Sequence, residues 1–163
     1  MKETTYLQEN KRLMEFLKSV PVFEPFDQNE INSLVKISKL KMYQDGECIL
    51  QEGSADTWLY FLVQGTVRII KGDQEITVLR RRGDIFGEMG VIAVAPRSAS
   101  AYAVGSTICL STDFSRIESF HKEDKVLMGY VLYRIFSEIL VLRLKETTNE
   151  LMKIKGKAGL KFW

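Results

Sequence analysis

One histidine, two cysteines and three prolines are all that 163 residues supply of those types. The single histidine, His121, excludes a multi-histidine metal centre. With only Cys48 and Cys109 beside it, little is left for nucleophilic or acid–base catalysis. The cysteines form no C-x-x-C pair and no disulfide framework; each falls in a β-rich run and reads as an ordinary core thiol. Charge of one sign is missing too. The balance of 23 basic and 21 acidic residues leaves +2, no electrostatic reason to expect nucleic acid or an acidic membrane as the main partner. The most apolar stretch, 126–144, is broken by Arg134, Glu138 and Arg143, which a membrane span tolerates poorly. The N-terminus is polar and mixed in charge, so it is no signal peptide. The expectation is a soluble chain in a reducing, cytoplasmic setting, with no metal and no cofactor.

What is present is ordinary for a globular protein: 45% hydrophobic and 27% charged residues, too apolar for disorder and enough for one domain. Residues 1–39 read as N-terminal helices. Leu13, Met14, Phe16, Leu17 and Val20 share a helical face that Pro21 ends, and Asp27 with Glu30 has the spacing of a capping box. Residues 40–111 read as a β-barrel. Short runs such as 48–50, 58–63, 67–70, 76–79, 98–104 and 107–110 alternate with turn signals at Gly46, Gly53, Gly65, Gly72 and Gly83. Residues 112–155 return to helix, with Asp113 near an N-cap and a long segment over 124–155. A basic tail, 156–163, follows. The fold class expected is an antiparallel jelly-roll β-barrel with short N-terminal helices and a long C-terminal helix.

One segment breaks the strand rhythm, Phe86-Gly-Glu-Met-Gly through Pro96-Arg-Ser-Ala-Ser100. A short helix opening at Gly87 would sit between two β runs. Gly87 and Gly90 let backbone N–H groups approach a ligand closely, and a helix N-terminus attracts anions. Between Gly87 and Ala103, Arg97 is the only cation and Glu88 the only acid. A phosphate held by amides plus Arg97, with Glu88 accepting from a hydroxyl, describes a bound ribose phosphate rather than a reaction. The bland alternatives are an acid that favours the first turn of a short helix and a solvated turn arginine.

Taken jointly, these residues resemble the phosphate-binding cassette of cyclic nucleotide-binding domains, the family found in protein kinase A regulatory subunits, cyclic-nucleotide-gated channels and the bacterial catabolite activator. The resemblance spans about residues 13–150. It implies that Glu88 binds the ribose 2′-hydroxyl and that Arg97 pairs with the cyclic phosphate. The amides of Gly87, Glu88, Met89 and Ala99, with Ser98, would complete the site. It also implies a base cap from the long helix, for which Arg143, Thr147 and Thr148 are the polar candidates. Ala101 stands where the family usually has a larger apolar residue. The implied ligand is cAMP or cGMP, and Ser98 is compatible with either.

The long helix carries two apolar series. Met128, Leu132, Ile135, Ile139 and Leu142 form one, and Leu140, Leu144, Thr147, Leu151 and Ile154 the other. One series suffices to pack on the barrel, so the second implies a partner surface, with homodimerisation the expectation. No room follows the helix for a helix-turn-helix module, so direct DNA binding is not expected. The function expected is a cyclic nucleotide sensor and not an enzyme. The alternative is a regulatory or interaction module that keeps the barrel but responds to another ligand or to none.

Overall fold

The computed structural model describes residues 2–4, 11–92, 95–119 and 122–157. Phe120, His121 and the tail from residue 158 onward lie outside the described residues, so the expectations for them stay with the sequence. The chain runs through β1 (Lys2–Thr4), α1 (Lys11–Ser19), a 3₁₀ turn (Pro21–Phe23), α2 (Gln28–Lys36), β2 (Ser38–Tyr43), β3 (Cys48–Leu50), β4 (Trp58–Lys71) and β5 (Gln74–Leu79). It continues through β6 (Ile85–Phe86), α3 (Glu88–Ile92), β7 (Ser100–Asp113), a 3₁₀ stretch (Phe114–Ser119) and α4 (Lys122–Lys157). The strands pair antiparallel in the order β1-β2-β7-β4-β5, with β3 joining β7 and β6 joining β4. Fold class and helix placement follow the expectation.

α2 opens as its spacing predicts. The Asp27 carboxylate accepts from the Glu30 N–H at 2.9 Å, and Glu30 accepts from the Asp27 N–H at 2.7 Å. This reciprocal cap occupies donors that the first helical turn otherwise leaves open.

The strands are longer than the turn signals imply. The runs 58–63 and 67–70 are one 14-residue strand, β4, and Gly65 marks a shift of register against β7 rather than a turn. The runs 98–104 and 107–110 likewise merge into β7. A bulge bends a strand and increases its twist without ending it, which a sheet closing on itself requires. β1 and β6 had no signal in the sequence.

Side-chain alternation along β4 explains its uninterrupted apolar run. Leu59 and Phe61 face a core shared with Phe16, Phe23, Leu34, Met128 and Ile135 of the helices. Tyr60 and Leu62 face the opposite side, where Tyr43, Leu50, Phe86 and Cys109 fill the interior of the sheet. Both faces of the strand are buried, so both must be apolar. A register shift between Cys48 and Leu50 interrupts that alternation in β3 and corrects the reading of Cys48. It is exposed, while Ile49 and Leu50 beside it point inward, and only Cys109 is a core thiol.

The capping box sets a stability expectation. Asp27→Ala should cost about 0.5–2 kcal/mol in chemical denaturation, with the sheet intact by circular dichroism.

Candidate functional site

Arg97 is not a solvated turn arginine: it is 3% exposed, held on both sides of its backbone by the loop after β3. Its N–H donates to the Ser54 carbonyl at 2.9 Å, and its own carbonyl accepts from the Gly53 N–H at 2.9 Å. The guanidinium then reaches three acceptors. Nε donates to Asp56 Oδ2 at 3.2 Å, Nη2 to Asp56 Oδ1 and, at 2.5 Å, to the Trp58 carbonyl, and Nη1 to the Gly87 carbonyl. Four of the five N–H donors of the fork are therefore engaged.

Asp56 is the residue of this cluster that sequence reasoning missed. Its carboxylate also accepts from the Trp58 N–H at 3.0 Å and from Ser54 Oγ at 3.4 Å. Burial by itself pushes the carboxyl up. The hydrogen bonds from Arg97 and Trp58, with the charge of Arg97, outweigh that and hold it below the ordinary aspartate value. The available signal was an acid in the turn just before a long apolar strand, a pattern too common to single out.

Two glycines make the approach of Arg97 possible. Gly87 adopts φ +85°, and a Cβ there would lie 3.1 Å from the Trp58 carbonyl. A Cβ on Gly90 would stand 2.7 Å from Arg97 Nη1 and 3.0 Å from its Cδ. The Phe86 ring, stacked on Tyr60 with centroids 5.1 Å apart, seats the segment against β4.

Glu88 lies in the first turn of α3 with a mostly buried side chain. Its carboxylate faces Arg143 of α4, Oε1 to Nε at 3.5 Å, and Arg143 Nη2 donates to the Ile85 carbonyl at 2.6 Å. Arg143 also meets Glu146 at 3.5 Å, Glu146 meets Arg81 at 3.3 Å, and Arg81 meets Asp84 at 3.5 Å. A chain of alternating charges thus runs from Glu88 to the turn between β5 and β6.

The other expected site residues fare differently. Met89 and Ser98 are exposed, with Ser98 Oγ 3.7 Å from the Met89 sulfur, and Ala99 is half-buried. Thr147 and Thr148 are exposed on α4, and among the described residues neither side chain hydrogen-bonds to the 86–100 segment. Thr147 shares the face of Arg143 but lies a turn farther along α4, and Thr148 is turned away from that face. The Cys109 thiol is pushed up to about 12 by burial, which leaves it unreactive. The arrangement presents a buried cation, a carboxylate and exposed backbone at a short helix, the equipment for holding an oxyanion and a hydroxyl.

The Arg97–Asp56 pair predicts a pH dependence. A carboxyl held low in the folded state contributes stability above its unfolded value, about 3.9, and that contribution is lost as pH falls through the folded value. Denaturation against pH should show this acid limb in the wild type and a flatter one in Asp56→Asn. At neutral pH that variant should lose about 2–3 kcal/mol, below the range for a fully buried pair because part of Asp56 remains in water.

Comparison with known proteins agrees with the geometry. The chain is 29% identical over 152 residues to the cAMP-dependent protein kinase type II regulatory subunit of Drosophila melanogaster, covering 91% of this chain and 37% of that protein. The crystal structure of the Thermus thermophilus catabolite activator protein superposes with a TM-score of 0.62 at 27% identity, over 83% of this chain and 63% of that one. The regulatory subunit of a cAMP-independent protein kinase A from Trypanosoma brucei shares the fold, with a TM-score of 0.68 at 18% identity over 88% of this chain and 48% of that one. The chain spans well under half the length of that Drosophila relative. The family model for the cyclic nucleotide-binding domain matches residues 40–124, a span that holds Asp56, Glu88 and Arg97, and the chain belongs to that family.

Proposed function

We propose that the chain is a cyclic nucleotide sensor, a regulatory domain and not an enzyme, that takes cAMP or cGMP at the 86–100 segment. The observation that carries this reading is the buried guanidinium of Arg97 beside Gly87, in the same short segment as Glu88. Arg97 would hold the cyclic phosphate with the amides of Gly87, Met89 and Ala99 and with Ser98. Glu88 would accept from the ribose 2′-hydroxyl. Since four of its donors are engaged, Arg97 must exchange at least one acceptor for a phosphate oxygen to bind bidentately, and the negative charge of the ligand favours that exchange. Arg143 contacts Glu88 and is placed to transmit occupancy to α4. The Drosophila relative is a cAMP-dependent kinase regulatory subunit and a Toxoplasma gondii relative is a cGMP-dependent protein kinase, which supports the ligand class and leaves the choice of base to measurement.

One observation favours a second reading, a barrel that responds to another ligand or to none. Asp56 and two backbone carbonyls already satisfy most of Arg97, as in a site closed on itself. A thermal shift separates the two readings. At 100 times its dissociation constant, a bound ligand should add about 2.7 kcal/mol. Absence of a shift with both cAMP and cGMP at millimolar concentration supports the second. By calorimetry, Arg97→Ala should weaken binding roughly thirtyfold or more, the loss expected for a buried charge pair of about 2–5 kcal/mol. Glu88→Gln should erase the preference for the ribo-ligand over its 2′-deoxy analogue while leaving phosphate recognition in place.

Homodimerisation through α4 is the partner this reading includes. Met128, Ile135 and Ile139 of the inner series are buried, and Leu132 packs against that core. Leu140, Leu144, Leu151 and Ile154 of the outer series are 47–69% exposed. Extended backward at the same alternating spacing, that stripe passes through Ser137 and takes in Tyr133, Tyr130 and Val126, all three exposed. An apolar seam of that period over most of a 36-residue helix fits a second copy of itself. Leu144→Lys with Leu151→Lys should shift the chain to monomer in sedimentation without altering its circular dichroism.

A further inference from the structure

A cavity of about 760 Å³ opens between the 3₁₀ turn at Pro21, the end of β5 with the turn that follows it, and the outer half of α4. Neither Glu88 nor Arg97 lines it. Its floor is aliphatic, from Val22, Leu79 and Ile139, all buried, and from Leu142, which is half-exposed. Its rim is basic. Arg80, Arg81 and Arg82 stand on one side, and Arg143 and Lys153 on the other, where Glu150 is the one rim acid that forms no ion pair among the described residues. Asp84 and Glu146 answer Arg81, and the Arg82 guanidinium lies over the Phe16 ring at 4.9 Å. Among the described residues Arg80 and Lys153 make no ion pair. The excess of cations over an apolar floor is a property of the groove that the chain's own contacts leave unanswered.

We infer that this groove docks an acidic amphipathic segment of a partner protein, with aliphatic side chains on the floor and carboxylates on Arg80, Arg82 and Lys153. A bare anion would leave the floor in water, and a neutral apolar ligand would leave the rim unanswered. A lipid surface is flat, whereas the groove is concave and of the size that recognition sites take. The chain's own end is no match, since residues 153–163 carry lysines and no acid. A short helix laying i, i+3, i+4 and i+7 side chains into an apolar groove is an established mode of peptide recognition, and the basic rim adds the demand for acid. The surface uses Leu142, Glu146 and Lys153, a face of α4 distinct from the Leu144–Leu151 stripe, so one helix can serve both contacts.

The test is fluorescence anisotropy with a labelled twelve-residue peptide of glutamate and leucine, leucines at helical spacing, titrated with the full chain and no nucleotide present. Its result therefore stands whatever a cyclic nucleotide titration gives. Saturable binding is expected, weakened at least tenfold in an Arg80→Glu, Arg82→Glu variant and in Leu142→Asp, and weakened as salt rises. Equal binding of a peptide with glutamine for glutamate overturns the proposal, as does no binding at all. Displacement of the peptide by inorganic tripolyphosphate at the same concentration as unlabelled peptide also overturns it, by making the groove a simple anion site. Preferential capture of the chain on phosphatidylserine vesicles overturns it in favour of a membrane. The variants change exposed side chains, and circular-dichroism melts check that they fold; the glutamine peptide and salt series need no variant.

Discussion

A guanidinium taken out of water must have its charge balanced and its donors occupied, and the region around Arg97 is built to that requirement. Asp56 supplies the charge, and the carbonyls of Trp58 and Gly87 supply further acceptors. Two stretches remote from each other in the chain converge on one side chain: the loop after β3 running into the start of β4, and the residues opening α3. The backbone bonds of Arg97 to Gly53 and Ser54 tie the far end of the 86–100 segment to that same loop. Glycine at 87 and at 90 follows from the same requirement, because any Cβ there would stand in the space the guanidinium and its acceptors need. The site is preformed around a cation, which is the costly part of binding an oxyanion in a partly buried place.

α4 owes its role to having faces of different character. Its inner face is anchored by Met128, Val131, Ile135 and Ile139 in the core shared with the N-terminal helices. Beyond Ile139 the apolar anchor ends and charge takes over, with Arg143 on Glu88 and Ile85 and Glu146 on Arg81. A helix held by packing at one half and by exposed ion pairs at the other has a strong and a weak attachment. Solvent-screened pairs are individually worth little, so under the proposed reading a ligand competing for Glu88 would loosen the outer half while the inner half stays docked. The short segment that holds Arg97 and Glu88 is thereby coupled to a helix that extends about 54 Å at about 1.5 Å per residue.

Much of the fold was legible because local rules govern it. The Asp27–Glu30 cap forms where the spacing places it, Pro21 ends the first helix, and the apolar period of α4 names Met128, Ile135 and Ile139 as buried, though it misses Val131 and takes in Leu142, which is half-exposed. Glu88 and Arg97 stood out because a 17-residue run from Gly87 to Ala103 holds one acid and one cation. The misreadings share a cause. Gly65 looks like a turn in one dimension, but a bulge in a continuous strand has the same sequence signature. Cys48 looks like a core thiol until the pairing of β3 decides which way its side chain points.

The near-absence of histidine and cysteine, with Glu88 and Arg97 as the one acid and one cation of the 87–103 run, set by themselves the expectation of a site that would hold an anion beside a hydroxyl. Residue types set which interactions are available, and that much needs no coordinates. Which interactions form is a matter of distance between segments remote in sequence, and only the tertiary structure decided it. Asp56, 41 residues before Arg97, became its counter-ion because the loop after β3 and the end of the 86–100 segment share backbone hydrogen bonds. Arg143, far down the chain, closed on Glu88 because α4 packs across the helical core at the angle its buried face allows. Burial of Arg97 then turned its contact with Asp56 from surface charge into site architecture, since away from water an ion keeps its charge only if a partner is already in place.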